Sequence, residues 1–421
     1  MGLKQKIKQI MPEWAWKEIK GCQEKYYEKQ MKIKCKSVEK FRACGNPYGV
    51  NLMGDIRAET GLGQSMRIVA EMLDAGKVPF VVRQVNAPDN IEHQERNWDY
   101  KIASENKYGI NIIHINNNVW KKNYSRMQVS ELSGRYNIAY WLWELEEFPA
   151  EWVSCIDTVD EIWTPSEFIS RGIRKKTKKP VMTMPYGMHL EDKNLFRRAH
   201  FFLPEDTFLF LVMYDFLSIS ERKNPYGAIQ AYMRAFKPTD AGVGLVVKAN
   251  HLGDKRELER LREELKEYPN IYFITDNLGR REVESLIAAA DVLVSLHRAE
   301  GFGLPLAEAM YLKTAVIATG WSSTTEFMDA DSACLVDYNL IALDRDIGPY
   351  HKGNRWADAD VGQAAEHMRN LWKDKEFYSR KVAHGAEHIK TCLDMEKMSD
   401  RMVQRIQEIY KRGTGTSYGQ K

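Results

Sequence analysis

Residues 295–310 read SLHRAEGFGLPLAEAM. The stretch starts at the end of an apolar run, crosses a glycine-flanked loop and enters a helix-forming sequence. Gly301 and Gly303 let the backbone come close to a ligand and supply dihedrals that other residues resist. A helix beginning near Leu304 presents unpaired N–H groups beyond the strand end, where a phosphate binds well. Pro305 suits the first helical turn. Glu308 follows about one turn further in, where a carboxylate can accept both hydroxyls of a ribose. Glu300, before the loop, is placed to bond sugar hydroxyls. Each glutamate alone has a plainer reading: Glu300 as a surface residue, Glu308 as an acid favoured by the helix dipole. The pair flanking Gly-Phe-Gly points to a donor site.

Outward from this stretch, short apolar runs alternate with helical patterns. The first series has strands at Gly49–Gly54, Pro79–Val85, Asn111–Ile115, Tyr136–Trp143, Glu161–Thr164 and Val181–Pro185, with helices at Leu62–Gly76 and Ser166–Arg174. The second has strands at Thr207–Tyr214, Gly244–Ala249, Ile271–Thr275, Asp291–His297, Ala315–Thr319 and Cys334–Asp337, with helices between them from Pro225 to Leu312. Such alternation predicts parallel sheets covered on both faces. Two series predict an α/β chain of two Rossmann-like, doubly wound domains facing across a cleft, with ligands at the carboxyl ends of the strands. The polar stretch HLEDKNLFRRAH places a boundary near 186–203. The expected division is a basic helical extension over 1–45, a first domain over 46–190 and a second over 191–393. A final helix over 394–412 returns to the first domain, and a flexible tail covers 413–421. After Ala359 the pattern is helical through Gln363–Trp372, Phe377–His388 and Met395–Tyr410.

The 421 residues hold 61 basic and 58 acidic side chains, which argues against a surface built wholly for nucleic acid. The near balance hides a split. Residues 1–42 carry 12 Lys/Arg against 5 Asp/Glu, and the remaining 379 carry 49 against 53. Leu3, Ile7, Ile10, Met11, Trp14 and Ile19 recur roughly every three or four positions in this basic head, which predicts amphipathic helix broken near Pro12. Two readings fit it: a helix on an anionic membrane surface with Trp14 and Trp16 at the interface, or a solvated helix packed on the body by one face. No apolar run reaches the ~18–20 residues that span a bilayer. The six cysteines, at 22, 35, 44, 155, 334 and 392, show no paired spacing. With no signal-peptide pattern, they are expected to be reduced thiols of a cytoplasmic protein, with the inner face of the plasma membrane as a further location.

Glu300 and Glu308, with seven residues between them, resemble the E-x7-E signature of retaining GT-B glycosyltransferases, and their surroundings resemble glycosyltransferase family 4. Tyr140–Trp152 (YWLWELEEFPAEW) and Asp160–Phe168 (DEIWTPSEF) are similar to the first domain of its bacterial surface-polysaccharide group. Gly54–Arg67 (GDIRAETGLGQSMR) resembles its first glycine loop, and Gly320–Met328 (GWSSTTEFM) the segment after the signature. The resemblance covers residues ~48 to 390. It implies a GT-B fold and transfer of a hexose or deoxyhexose, with retention, from a nucleoside-diphosphate sugar to a hydroxyl of a growing, lipid-linked surface glycan. No cofactor and no obligatory metal are implied.

The resemblance also implies roles. Glu300 would contact the donor sugar, Gly301, Phe302, Gly303 and Leu304 would meet sugar and diphosphate, and Glu308 would hold the ribose. Diphosphate charge grows as the glycosidic bond breaks, so fixed cations in a dry cleft are needed. Lys223, Arg222 and Lys248 are the candidates. The family's usual arginine, five residues before the lysine, is Ser218 here, so Arg222 substitutes for it or faces solvent. Lys248 equally reads as a strand-end lysine reaching water. Gly61 and Gly63 would offer N–H groups to the diphosphate or admit the acceptor. His114, at the end of INIIHINNN, would touch donor sugar and acceptor, or be structural. With Glu300 and Lys223 it completes the expected catalytic set. His297 would bind donor or orient the loop. Trp143 and Glu144, with Trp141, Glu146 and Phe148, would meet the acceptor or fill a core.

Other chemistries lack their motifs. There is no GxxxxGK[ST] or HExxH, and GxSxG occurs only as GTSYG at 415–419, in the tail and after no strand-like apolar run. The triplets Asp329/Asp331, Asp344/Asp346 and Asp358/Asp360 lie in polar segments without a preceding buried strand and read as loop acids. Two further readings remain: a catalytically idle GT-B scaffold of a membrane assembly, and a sugar phosphorylase or epimerase of the same fold.

Overall fold

The computed structural model describes residues 12–42, 45–85, 93, 95–190, 194–215, 219–250 and 255–413. A 25-residue helix, α1 (Glu13–Ser37), begins directly after Pro12. Leu3, Ile7, Ile10 and Met11, the side chains of Trp14 and Trp16, Cys44 and Ser218 lie outside the described parts, as do residues 414–421.

Two six-stranded parallel sheets follow. The first contains β1 (Val50–Gly54), β2 (Phe80–Gln84), β3 (Ile110–His114), β4 (Tyr136–Tyr140), β5 (Glu161–Thr164) and β6 (Val181–Thr183), in the order 2-1-3-4-5-6. The second contains β7 (Phe208–Asp215), β8 (Val243–Asn250), β9 (Ile271–Ile274), β10 (Val292–Ser295), β11 (Ala315–Thr319) and β12 (Cys334–Val336), in the order 12-11-10-7-8-9. Their apolar runs, such as β1 and β3, are buried along their whole length, as a parallel sheet covered on both faces requires. Strand order reverses between β1 and β3 and again between β7 and β10. Crevices open beyond the carboxyl ends of strands at such points. The chain after β10 is the Ser295–Met310 stretch, and the chain after β7 carries Arg222 and Lys223.

The helices used below are α2 (Gly61–Ala75), α3 (Trp120–Arg126), α4 (Glu167–Arg174), α5 (Ser220–Lys223), α6 (Pro225–Ala235), α7 (Lys255–Glu264), α8 (Arg280–Ala289), α9 (Leu304–Tyr311), α10 (Val361–Lys373), α11 (Lys375–Cys392) and α12 (Met395–Gly413). The last of these packs on α2 of the first sheet. Arg405 donates to both oxygens of Glu161 on β5 at 2.9 and 2.6 Å, and Tyr410 Oη donates to Asn46 O at 2.8 Å. Gly413, expected in the tail, ends this helix. Among the described residues, no helix is long and apolar enough to cross a membrane.

Two features depart from the sequence reading. The strand expected over Tyr136–Trp143 stops at Tyr140, because the next residues turn into an aromatic knot. An antiparallel hairpin of β13 (Tyr338–Ala342) and β14 (Arg355–Ala359) also emerges from the second sheet's side. Its first strand is largely exposed and its second flanks and interrupts its buried residues with Arg355 and Asp358, so neither has the continuous apolar run that marks a buried strand.

Candidate functional site

The loop after β10 brings acid and base together. Gly303 sits at φ +92°, and a Cβ there would lie 2.6 Å from Thr324 Cγ2, so glycine is required. Glu300 is buried, with its backbone N–H donating to Ser322 Oγ at 3.0 Å and its carbonyl accepting from Ser323 Oγ. Lys223 Nζ donates to Glu300 Oε1 at 2.5 Å, and Arg222 Nη1 lies 3.1 Å from the same oxygen. Burial alone would raise the Glu300 pKa, but the charges of Lys223 and Arg222 outweigh it and hold the carboxyl at about 2. Arg222 is itself buried and donates to Ala299 O at 2.8 Å. Its position excludes the solvent-facing reading. Its buried Nε has no partner among the described residues.

Glu308 is 2% exposed and pairs with Arg280 of α8 at 2.7 Å, which also pairs with Glu284 at 2.8 Å. Sequence reasoning missed Arg280, because nothing local links it to a glutamate 28 residues on. A cavity of about 100 Å³ lies against this pair, lined by Arg67 and Glu71 of α2 and by Arg280, Glu284 and Glu308. Small-molecule sites usually offer about 300–1,000 Å³, so a nucleoside needs this space to widen. Burial pushes the Glu71 carboxyl up to about 7, against the lowering effect of Arg280 and Arg67. A raised native pKa favours the protonated form. Its stabilising contribution is therefore complete below the ordinary value of 4.5 and is lost as pH rises through about 7. Glu71→Gln is expected to gain about 1–3 kcal/mol over wild type between pH 5 and pH 8. Urea unfolding at the two pH values checks this; parallel pH dependences would refute it.

Several expected site residues are placed elsewhere. His114 is buried, its Nε2 is 2.6 Å from Ser65 Oγ, and its ring stacks on Tyr140. Burial lowers its pKa to about 4. It joins a buried network with Ser65 and Tyr186 at the end of β3, the arrangement that its structural reading called for. His297 is buried between Ser295 Oγ and Trp321 O, each at 3.2 Å, and so ties the loop to its neighbour segment. Lys248 is 1% exposed and its Nζ donates to Asp276 O at 2.7 Å, which corrects the solvent reading. Gly63 gives its N–H to Thr60 Oγ1 at 3.1 Å, and a Cβ on it would stand 2.0 Å from Ala58 O. Its role is close packing. Gly61 is exposed at the first turn of α2. The Phe302 ring packs between Tyr186 at 4.6 Å and Phe327 at 5.3 Å, leaving only its backbone for a ligand. Leu304 is half-buried at the start of α9. Asp329 caps the turn at Asp331 and Ser332, Asp360 caps α10, and Asp358 pairs with Arg298.

The aromatic segment after β4 is a core, not an open platform. Trp141, Trp143 and Phe148 are each at most 2% exposed, as the core-filling reading of this segment expects. Trp143 packs on Trp152 and on Tyr350 from the hairpin. Tyr350 Oη donates to Glu144 at 3.2 Å, Arg355 pairs with Glu146 at 3.1 Å, and His351 with Glu151 at 2.7 Å. The acids of WELEEFPAEW thus clasp the second domain's hairpin. Glu144 also lies 4.0 Å from Arg222, so this clasp borders the Glu300 cluster. The domains meet again where Ser166 Oγ donates to Gly301 O at 3.3 Å and Glu326 accepts from the N–H groups of Glu167 and Phe168.

Residues 199–342 match the family model "Glycosyl transferases group 1". The match contains Arg222, Lys223, Glu300 and Glu308. No curated protein matches the chain by sequence. Solved structures do match in three dimensions. Anabaena HepE in complex with UDP and glucose is 11% identical with a TM-score of 0.58, covering 86% of this chain and all of that one. Sucrose-phosphate synthase from Thermosynechococcus elongatus is 15% identical with a TM-score of 0.62 and the same coverage. A glycosyltransferase from Rickettsia africae is 13% identical with a TM-score of 0.62, covering 88% and 100%. The chain has the GT-B fold. In a GT-B frame, the Glu300 cluster and the Glu308–Arg280 pair both stand on the second domain's wall of the cleft between the sheets.

Proposed function

We propose that this chain is a retaining, metal-independent glycosyltransferase. It moves a hexose or deoxyhexose from a nucleoside-diphosphate sugar to a hydroxyl of a growing, lipid-linked surface glycan. One observation carries the reading: two cations, Arg222 and Lys223, converge on buried Glu300 at the loop opening α9. An incoming diphosphate takes over these cations and the unpartnered Nε of Arg222. The charge then needs no metal ion. Glu300, released from them, turns to the sugar hydroxyls. The anomeric carbon–oxygen bond breaks, the diphosphate takes the electron pair, and the acceptor oxygen bonds the same face of the sugar. The acceptor proton passes to a leaving phosphate oxygen. The match over residues 199–342 and the UDP and glucose held by Anabaena HepE support this reading.

The test is a panel of nucleoside-diphosphate sugars with glycan acceptors, read by NMR for the anomeric configuration of the product. Retained configuration, strictly dependent on acceptor, is expected. Product without acceptor would instead mark a phosphorylase or epimerase, and inversion would refute retention. Glu308→Ala is expected to weaken donor binding about 10- to 100-fold through the lost charged hydrogen bonds to the ribose. Calorimetry with the nucleoside diphosphate alone checks that step, and unchanged affinity would remove Glu308 from the ribose.

A further inference from the structure

Helix α1 carries apolar residues on two opposite faces, and only one face is used by the body. On the inner face Met31 is fully buried with Trp120, Tyr124 and Met127. Lys34 Nζ donates to the carbonyls of Tyr124, Ser125 and Met127 at the end of α3. Glu28 pairs with Lys121 at 3.0 Å, and Cys35 Sγ donates to Asp157 O at 3.5 Å. These contacts fix the roll of the helix. Ile19, Tyr26 and Ile33, spaced seven apart, are consequently held outward at 39%, 59% and 53% exposure. At 100° per residue they form one narrow stripe. Lys25, Lys29, Lys32 and Lys36 recur at spacings of four, three and four, form an adjoining stripe, and are all exposed.

We infer that this outward face of α1 docks on an anionic lipid surface. Apolar side chains flanked by a row of lysines match the two attractions such a surface offers, burial among acyl chains and neutralisation of acidic headgroups. A second copy of the chain would set lysine row against lysine row, so charge complementarity favours the bilayer. The inner face stays on α3 throughout, and the helix needs no refolding to bind. This inference does not depend on the chemistry proposed above.

The test is co-sedimentation of the full chain with vesicles rich in phosphatidylglycerol or made of phosphatidylcholine alone. Binding to the acidic vesicles only, weakening as salt rises, is expected. Lys25→Gln, Lys29→Gln and Lys36→Gln together are expected to lower partitioning about 100-fold, at roughly fivefold per lysine. Ile19→Gln, Tyr26→Gln and Ile33→Gln together are expected to lower it by a similar factor. Both triple variants should keep the wild-type melting midpoint, because the altered residues face outward. Equal binding to both vesicle types, or unchanged binding by both variants, would overturn the inference. So would a dimer in sedimentation velocity that the apolar variant dissolves while vesicle binding persists.

Discussion

Lys223→Ala is expected to lower turnover about 100- to 1,000-fold, the scale of losing one preorganised charge on a developing anion. Its Nζ sits 2.5 Å from Glu300 Oε1 and its side chain is 23% exposed, so truncation opens no core cavity. The melting midpoint should fall only modestly, because Arg222 still pairs with the buried Glu300. Donor affinity should fall less than turnover, because leaving-group charge is greatest in the transition state. Lys223→Arg is expected to recover part of the rate. Steady-state kinetics at saturating donor, with calorimetry of nucleoside-diphosphate binding, separate the two effects. Turnover within threefold of wild type would remove Lys223 from the reaction. An equal loss of affinity and turnover would recast it as a binding residue only.

Arg405→Ala is expected to destabilise the fold by about 3–5 kcal/mol, as breaking one side of a buried ion pair does. Glu161 is fully buried, and its two oxygens receive Arg405 at 2.9 and 2.6 Å. Trp163 Nε1 and Tyr136 Oη also donate to it, at 2.8 and 3.0 Å. Those neutral donors soften the loss but leave the charge buried. The pair joins α12 to β5 across 244 residues of sequence. Detachment of that helix would strip cover from α2. Arg405→Met combined with Glu161→Leu is expected to recover most of the stability, since no unpaired charge remains. Urea titration of the two variants decides it. A single variant within 1 kcal/mol of wild type would show that water reaches Glu161.

The fold was legible because its signals are local. The strand runs, the glycine-flanked loop and the polar stretch near 186–203 can each be read from neighbours in sequence. Glu300, Lys223 and Arg222 were legible because two short motifs each end a strand beside a reversal of strand order. Ser322, Ser323, Arg280 and Tyr350 carried no such signal. Each acts by reaching a group brought near only by the sheet, as Tyr350 reaches Glu144 across 206 residues. The sequence left open whether other candidates line a site or fill the interior. His114, Lys248 and Trp143 have the residue types of a site, and their type does not show whether the interior has enclosed them.

The amino-acid sequence by itself determined the strand–loop–helix passage at 295–310, the paired glutamates, the two α/β series and the basic head. Local backbone preference and hydrophobic period act over a few residues and need no distant partner. Tertiary structure alone decided which cations meet Glu300, that Arg280 holds Glu308, that the WELEEFPAEW acids clasp a hairpin, and which face of α1 looks outward. Burial and charge pairing are properties of three-dimensional neighbours. The head that composition marked as basic thus gains a direction only once Met31 and Lys34 anchor it to α3.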